Sequence, residues 1–336
     1  MATALHLDIL DLRHYSARQL RPLLEAESRE WSTLLRWDYR SSADLLLQYL
    51  DSRVLPGFVA LDRGRICGYV FCVYEGNKAV IGDVYATPAA NGSQPACEVE
   101  NRLICHMLEM LQHSPNVDRI ESQLLLHPSG MHVQPFLNTG FHIFPRLFME
   151  RDVSDHKPLM QGGHAAPSLP GDLVLRKWTA ADFQSAGELI ARCYHGHTDS
   201  RINNQYRSII GSLRFLHNIV RFPGCGVFDP EASWVLATPT GSLDGLLLCS
   251  RVREDVAHIT QICVSPKYRR MGLSKLLLHS CEHGLRERNF QAITLTVTES
   301  NTSAVLLYQD TGFHIRHTFD AMVWDPAGFA LEDAAK

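Results

Sequence analysis

The chain has 336 residues, 45% hydrophobic and 20% charged, with a formal net charge of −4. That length exceeds what one core usually organises, so two domains are expected, with the balance of a soluble globular protein. No apolar run approaches the roughly 18–20 residues that cross a bilayer, no secretory signal is expected at the start, and no block of like charge marks a nucleic-acid or membrane surface.

The nine cysteines, at 67, 72, 97, 105, 193, 225, 249, 263 and 281, form no CxxC pair and are odd in number. Most lie in apolar runs such as Leu247-Leu248-Cys249, where a thiol behaves as a small hydrophobe. Reduced thiols and a cytoplasmic setting are expected.

In chain order, Leu12 to Ala17 reads as a short strand running into Ser16, a candidate helix cap. Phe58–Leu61 and Ile66–Phe71 flank the turn Asp62-Arg63-Gly64-Arg65, a hairpin. A further strand ends in Pro88, and Thr139-Gly140-Phe141-His142-Ile143 closes the first half. Between Asp152 and Asp172, three prolines and three glycines with few large apolar residues mark a linker.

The same landmarks then return in the same order. Leu175 to Ala180 runs into the candidate cap Thr179, Trp234–Ala237 and Gly245–Cys249 flank a turn, a strand ends in Pro266, and Thr311-Gly312-Phe313-His314-Ile315 closes the second half. A tandem duplication of one α/β unit with a mixed sheet is expected, as domains 1–152 and 172–336 joined by linker 153–171.

Chemistry-bearing residues gather in the second copy. Pro266-Lys267-Tyr268-Arg269-Arg270-Met271-Gly272-Leu273-Ser274 joins an apolar strand to a helix whose stripe is Leu273, Leu276, Leu277, Cys281 and Leu285. A glycine at a strand-to-helix turn lets amides converge, the helix start adds partial positive charge, and Arg269 and Arg270 add full charges. Such a loop suits a pyrophosphate. Its Arg-x-x-Gly-x-Ser spacing is neither Walker A nor GxGxxG, and a basic surface turn would look the same.

Next, Ala292–Val297 reads as a strand, and a polar turn leads into a short helix ending before Gly312. Asn301 is placed to cap that helix, and Tyr308 lies two turns on, so both can face one cleft. A tyrosine there, protonated at neutral pH, can protonate a leaving thiolate. A core tyrosine with its hydroxyl at the surface would also fit.

The Arg269–Ser274 loop followed by Asn301…Ala304…Leu307-Tyr308…Gly312-Phe313 resembles the core motifs of the GNAT acetyltransferases, [RQ]-x-x-G-x-[GA] and then N-x-x-A-x-x-L-Y-x-x-x-G-F. Ser274 stands where Gly or Ala is usual. The two-copy plan resembles that of the mycothiol synthases, whose substrate does not carry over. The resemblance implies two tandem GNAT domains and an N-acyltransferase that moves an acetyl group from acetyl-CoA to an amine of a small-molecule acceptor.

By that resemblance, the backbone of Ile262, Cys263 and Val264 pairs with the pantetheine arm. The amides of Arg269, Arg270, Met271, Gly272, Leu273 and Ser274 hold the pyrophosphate, Asn301 contacts the CoA arm, and Tyr308 is the general acid. The amine attacks the thioester directly. For the base, His258 has a suitable reference pKa and Gln261 can orient a water, with Glu254, Asp255 and Glu299 as other options. His258 reads equally as an exposed histidine at a strand end. Cys263, between Ile262 and Val264, reads as a structural thiol rather than a nucleophile. No metal ligand is expected in the site. The expected partners are acetyl-CoA and the amine, in a monomer or homodimer.

The first copy lacks this chemistry. After Pro88 comes Ala89 to Pro95 with no arginine, and Phe136 stands where Tyr308 does in the second copy. A degenerate, structural copy is expected. Acceptor choice would lie with Ala186–Phe222 and His314–Trp324, the first made mildly basic by Arg192, His195, His197, Arg201, Arg207 and Arg214. A CoA-binding scaffold, or transfer of a longer acyl or aminoacyl group, are the alternative readings.

Overall fold

The structure is a computed structural model, and it describes residues 7–88, 95–153, 169–221 and 226–329. The first half contains β1 (Leu7–Asp11), α1 (Ala17–Leu35), α2 (Arg40–Asp51), β2 (Gly57–Asp62), β3 (Arg65–Glu75), β4 (Lys78–Ala86), α3 (Ala96–Gln112), β5 (Arg119–Gln123), α4 (Val133–Asn138) and β6 (His142–Asp152). There follow β7 (Val174–Lys177), α5 (Phe183–Tyr194), α6 (Asp199–Ile202), α7 (Ile209–Arg221), β8 (Val227–Phe228), β9 (Trp234–Ala237) and β10 (Leu243–Arg253). The chain continues through β11 (Val256–Val264), α8 (Leu273–Glu287), β12 (Ala292–Thr298), α9 (Thr302–Asp310) and β13 (His314–Trp324). Among the described residues no helix is long and apolar enough to cross a membrane.

Local sequence explains the shared beginnings and ends. The Ser16 amide donates to the Gln19 side chain at 3.0 Å, and the Thr179 amide donates to the Asp182 carboxylate at 2.8 Å. Both satisfy a donor that a helix start would otherwise leave open. The β2–β3 turn has positive φ at both Arg63 (49°) and Gly64 (77°), the mirror-image turn that matches strand twist.

The ends of α4 and α9 are alike in detail. Phe141 N–H donates to the Phe136 carbonyl at 3.0 Å, and Phe313 N–H donates to the Tyr308 carbonyl at 2.9 Å. Gly140 and Gly312 take φ of 80° and 83°, as this left-handed helix stop requires. Edge-to-face aromatic pairs follow, Phe136–Phe141 at 5.1 Å and Tyr308–Phe313 at 5.8 Å. The two copies differ here by a single hydroxyl.

The chain forms two compact units. One comprises 1–34, 39–146 and 318–336, the other 35–38 and 147–317. In the first, the sheet order is β1-β2-β3-β4-β5 followed by residues 318–324 of β13, and only the β4–β5 pairing is parallel. Its core packs Val70, Ile81, Val84, Leu103, Ile104, Met107 and Phe136. In the second, residues 147–152 of β6 are followed by β12-β11-β10-β9-β7, with β8 also on β10. Here only β11 and β12 are registered as a parallel pair, and α8 buries Leu273, Leu277, Cys281 and Leu285, with Leu276 partly buried.

These units differ from the sequence halves 1–152 and 172–336 in their last strands. Residues 147–152 fall in the second unit and 318–324 in the first. Periodicity reports which face of a strand is buried, not which strand lies beside it. Within the expected linker, residues 154–168 lie outside the described residues.

Candidate active site

The site starts where two strands part. β11 and β12 pair from Val256↔Ala292 to Ile259↔Leu295, and β11 then runs on to Val264 without that partner. The register of β10 against β11 shifts at the same place, between Leu248↔Gln261 and Cys249↔Ile259, so Thr260 is a bulge residue. A bulge bends and twists its strand, here at the point of divergence. Ile262, Cys263 and Val264 lie on the diverged stretch, and the Ile262 carbonyl accepts from the Tyr194 hydroxyl at 3.5 Å.

Beyond Val264, a short turn over Pro266–Tyr268 leads into the loop. Arg270 (φ 62°) and Gly272 (φ 78°) are both left-handed, on either side of exposed Met271. No side chain caps α8, so the amides of Leu273, Ser274 and Lys275 at its start lack a side-chain acceptor. Alternating backbone hands beside an uncapped helix start make a concavity of N–H groups that fits a pyrophosphate. Both arginines are exposed, and Arg269 donates to the Cys193 carbonyl in the last turn of α5 at 3.2 Å.

Asn301 is a helix cap. Its Oδ1 accepts from Ala304 N at 3.3 Å and from the Ser303 hydroxyl at 3.1 Å, and its Nδ2 lies 3.4 Å from His197 Nε2. The Asp199 amide donates to His197 Nδ1 at 3.1 Å. The Asp199 carboxylate in turn accepts from the Thr298 hydroxyl at the end of β12.

Tyr308 is buried in the core of this unit. Burial pushes its phenol above the usual value, and the Asp199 carboxylate and Cys263 thiol raise it further. Tyr194 is raised well above its usual value by burial, with Tyr206, Asp199, Cys263 and Tyr308 adding to it. Tyr194 stacks on Tyr206 at 4.5 Å and meets His197 edge-on at 5.2 Å. The Cys193 and Cys263 thiols share a hydrogen bond, which with Arg269 and Arg192 lowers the Cys193 pKa despite burial.

The candidate bases lie elsewhere along β11. His258 is opposite Thr294, in the paired stretch, and is 5% exposed. Its Nδ1 is 2.9 Å from Thr294 Oγ1, and its ring lies near Trp37 (5.0 Å) and Phe148 (6.0 Å). The exposed strand-end histidine is thus corrected: aromatic neighbours cover it. Gln261, just past the bulge, is buried, and its Nε2 has no hydrogen-bond partner among the described residues. Glu254 and Asp255 precede β11, at its end away from the diverged stretch, and Asp255 is tied to Arg253 at 2.6 Å. That Arg253 contact lowers its pKa. Glu299 follows β12 and is exposed.

Tyr194 and Asp199 are the residues that sequence reasoning missed. They lie in Tyr194-His195-Gly196-His197-Thr198-Asp199, a polar, histidine-rich segment that carries no spacing signal. His197 was visible only as part of a mildly basic region.

Residues 201–313 match the model of the acetyltransferase (GNAT) family. A stretch of 99 residues is 33% identical to the mycothiol acetyltransferase of Thermomonospora curvata, covering 30% of this chain and about a third (33%) of that relative's length. A GCN5-related N-acetyltransferase from Sphaerobacter thermophilus shares the fold at a TM-score of 0.63 and 15% identity, over 95% of both chains. A tandem GNAT protein from the clavulanic acid biosynthesis pathway does so at 0.56 and 16% identity, over 95% of this chain and 98% of that one. The parted parallel strands, the amide-lined loop and the matched family model agree: the chain carries a GNAT acetyltransferase domain within a tandem GNAT fold.

Proposed function

We propose that the unit containing residues 201–313 transfers an acetyl group from acetyl-CoA to an amine on a small acceptor. The observation that carries this reading is the divergence of β11 from β12 directly before the uncapped start of α8. Ile262, Cys263 and Val264 would line the pantetheine arm. The amides from Arg269 to Ser274 would hold the pyrophosphate, with Arg270 as the free charge, and Asn301 would face the CoA arm while capping α9.

The bound thioester would supply the acyl carbon. The amine's lone pair forms the C–N bond, the C–S bond breaks, and the Tyr308 hydroxyl gives its proton to the departing sulfur. The ammonium proton leaves through water to Asp199, the carboxylate whose charge reaches Tyr308. The unpaired Gln261 amide fits the role of ordering a water. His258, covered and in the closed part of the strand pair, is better suited to holding that sheet region together than to meeting the amine.

Calorimetric titration with acetyl-CoA, followed by thiol release against a panel of amines, tests this reading. Saturable binding and amine-dependent thiol release are expected. Binding without release for any amine would favour a CoA-binding scaffold, and absence of binding would refute the loop assignment. Replacing the donor with longer acyl-CoAs in the same assay separates acetyl transfer from transfer of a larger group.

A further inference from the structure

The first unit repeats the parting of strands but fills it with its own side chains. β4 and β5 pair from Lys78↔Arg119 to Ile81↔Ser122, after which β4 runs on to Ala86. His127 Nε2 lies 2.9 Å from the Val84 carbonyl, and Glu100 Oε1, on α3, accepts from the Ala86 amide at 3.0 Å. Val84 and Ala86 occupy the strand positions that Ile262 and Val264 hold in the second unit. The backbone groups that a pantetheine arm would need are already used.

The same two side chains meet a third. His132, which immediately precedes α4, has Nδ1 2.7 Å from Asn101 Oδ1. A ring nitrogen facing a carbonyl oxygen must be the donor, so His127 is protonated on Nε2 and His132 on Nδ1. That leaves His127 Nδ1 and His132 Nε2 as lone pairs. Both turn toward Glu100 Oε2, at 3.9 Å and 3.1 Å. His132 Nε2 makes no hydrogen bond of good geometry among the described residues, although Glu100 Oε2 lies 3.1 Å away. All three residues are under 9% exposed.

Three buried acceptors facing one point repel one another unless a positive centre lies between them. A single proton joins two of them and leaves the third unpaired. A divalent metal ion joins all three. The ligating atoms lie within 4.8 Å of one another, and zinc bonds of about 2.0–2.2 Å in a tetrahedron place ligand atoms roughly 3.3 Å apart. The His132–Glu100 distance of 3.1 Å fits that spacing, and His127 Nδ1 lies 3.9 Å from the same oxygen. Each histidine also gives its other N–H to an oxygen acceptor, the outer support that metal-binding imidazoles use to fix their tautomer.

We propose that Glu100, His127 and His132 form a structural binding site for a divalent transition-metal ion of the zinc class. The ion would tie α3, the end of β4 and the start of α4 together, closing in this unit the opening that the other unit keeps for its ligand. No metal-ligand spacing marks it in the sequence: Glu100 is 27 residues from His127, and His127 is five from His132.

The test uses the full, untagged chain, stripped with chelator and titrated with Co²⁺ and then Zn²⁺ alone. One equivalent of Co²⁺ should produce visible d–d absorption without the near-ultraviolet band of thiolate ligation, and Zn²⁺ should displace it. His132→Ala and Glu100→Gln should weaken binding at least 100-fold. Where those variants misfold, Asn101→Ala, which removes only the outer support, should weaken it about 10–100-fold with circular dichroism unchanged. The proposal is overturned if the wild type takes up no stoichiometric metal, which would leave an imidazolium–carboxylate pair. It is equally overturned if thiolate bands dominate or if Asn101→Ala and the ligand variants bind as the wild type does.

Discussion

Arg269 donates to the carbonyl of Cys193 at 3.2 Å, which ties one of the two exposed loop arginines to α5. Arg270→Ala should therefore raise the Kd for acetyl-CoA about 3–10-fold, with a shallower salt dependence than the wild type, because an exposed charge acts through screened attraction. Arg269→Ala should lower the melting temperature as well, by loosening the end of α5. Titration calorimetry at two salt concentrations, paired with thermal melts, separates the two effects.

Gly272 starts α8 at φ 78°, a conformation that costs an ordinary L-residue roughly 1–2 kcal/mol and that asparagine tolerates better. Gly272→Asn should keep acetyl-CoA binding within a few-fold. Gly272→Glu should abolish it, since it adds both strain and a negative charge beside the pyrophosphate site. Equal binding by the Glu variant would show that the donor lies elsewhere.

Tyr308 and Asp199 divide the proton traffic in the proposed reaction. Tyr308→Phe should cut kcat by about 10²-fold or more with KM for acetyl-CoA nearly unchanged, the size of effect typical of a lost general acid. Because burial and Asp199 push the phenol upward, the wild-type rate should show no loss from its ionisation up to pH 10. Asp199→Asn should lower kcat and slow proton release, read as a larger solvent isotope effect on kcat. A drop in rate with the isotope effect unchanged would make Asp199 a positioning residue for Thr298 and His197.

Glu27 gives the first unit a pH response of its own. Its carboxylate is fully buried, accepts from the Tyr69 hydroxyl at 2.6 Å, and shares a hydrogen bond with Asp83. Burial raises Glu27 from 4.5 to about 7, and burial together with Glu27 raises Asp83 well above its usual value. A raised acid stabilises the fold while protonated, so this contribution is present below about pH 4.5 and is lost as pH climbs through 7. Asp11 and Asp255 are lowered instead, and their contribution fades only in acid below that window. Urea midpoints should fall between pH 5 and pH 8, with Glu27 alone contributing the equivalent of about 3 kcal/mol. Glu27→Gln should flatten that slope, and an unchanged slope would locate the response elsewhere.

Much of the fold was legible because duplication repeats local rules. The Ser16–Gln19 and Thr179–Asp182 contacts, the paired left-handed stops at Gly140 and Gly312, and the aromatic pairs after them each depend on residues within five positions. The left-handed turn before α8 was legible for the same reason. Glycine, arginine and a helix start are neighbours in the chain, and the left-handed φ at Gly272 is what that glycine implied.

Side chains that meet across long separations were not legible. His258 reads as a surface residue from its neighbours Ala257 and Ile259, and only the packing of Trp37 and Phe148 covers it. Asp199 reads as one charge in a basic stretch, yet the fold brings it to Thr298, 99 residues on. Glu100, His127 and His132 converge by the same kind of tertiary accident of register.

By itself, then, the sequence determined the repeated unit, the glycine turn before α8 and the one copy equipped with a tyrosine, since each follows from contacts between near neighbours. Only the tertiary structure decided which last strand joins which sheet, which arginine is tied to α5 and how the first copy's opening is plugged. Those depend on burial and on distances between residues far apart in the chain, which hydrophobic periodicity does not encode.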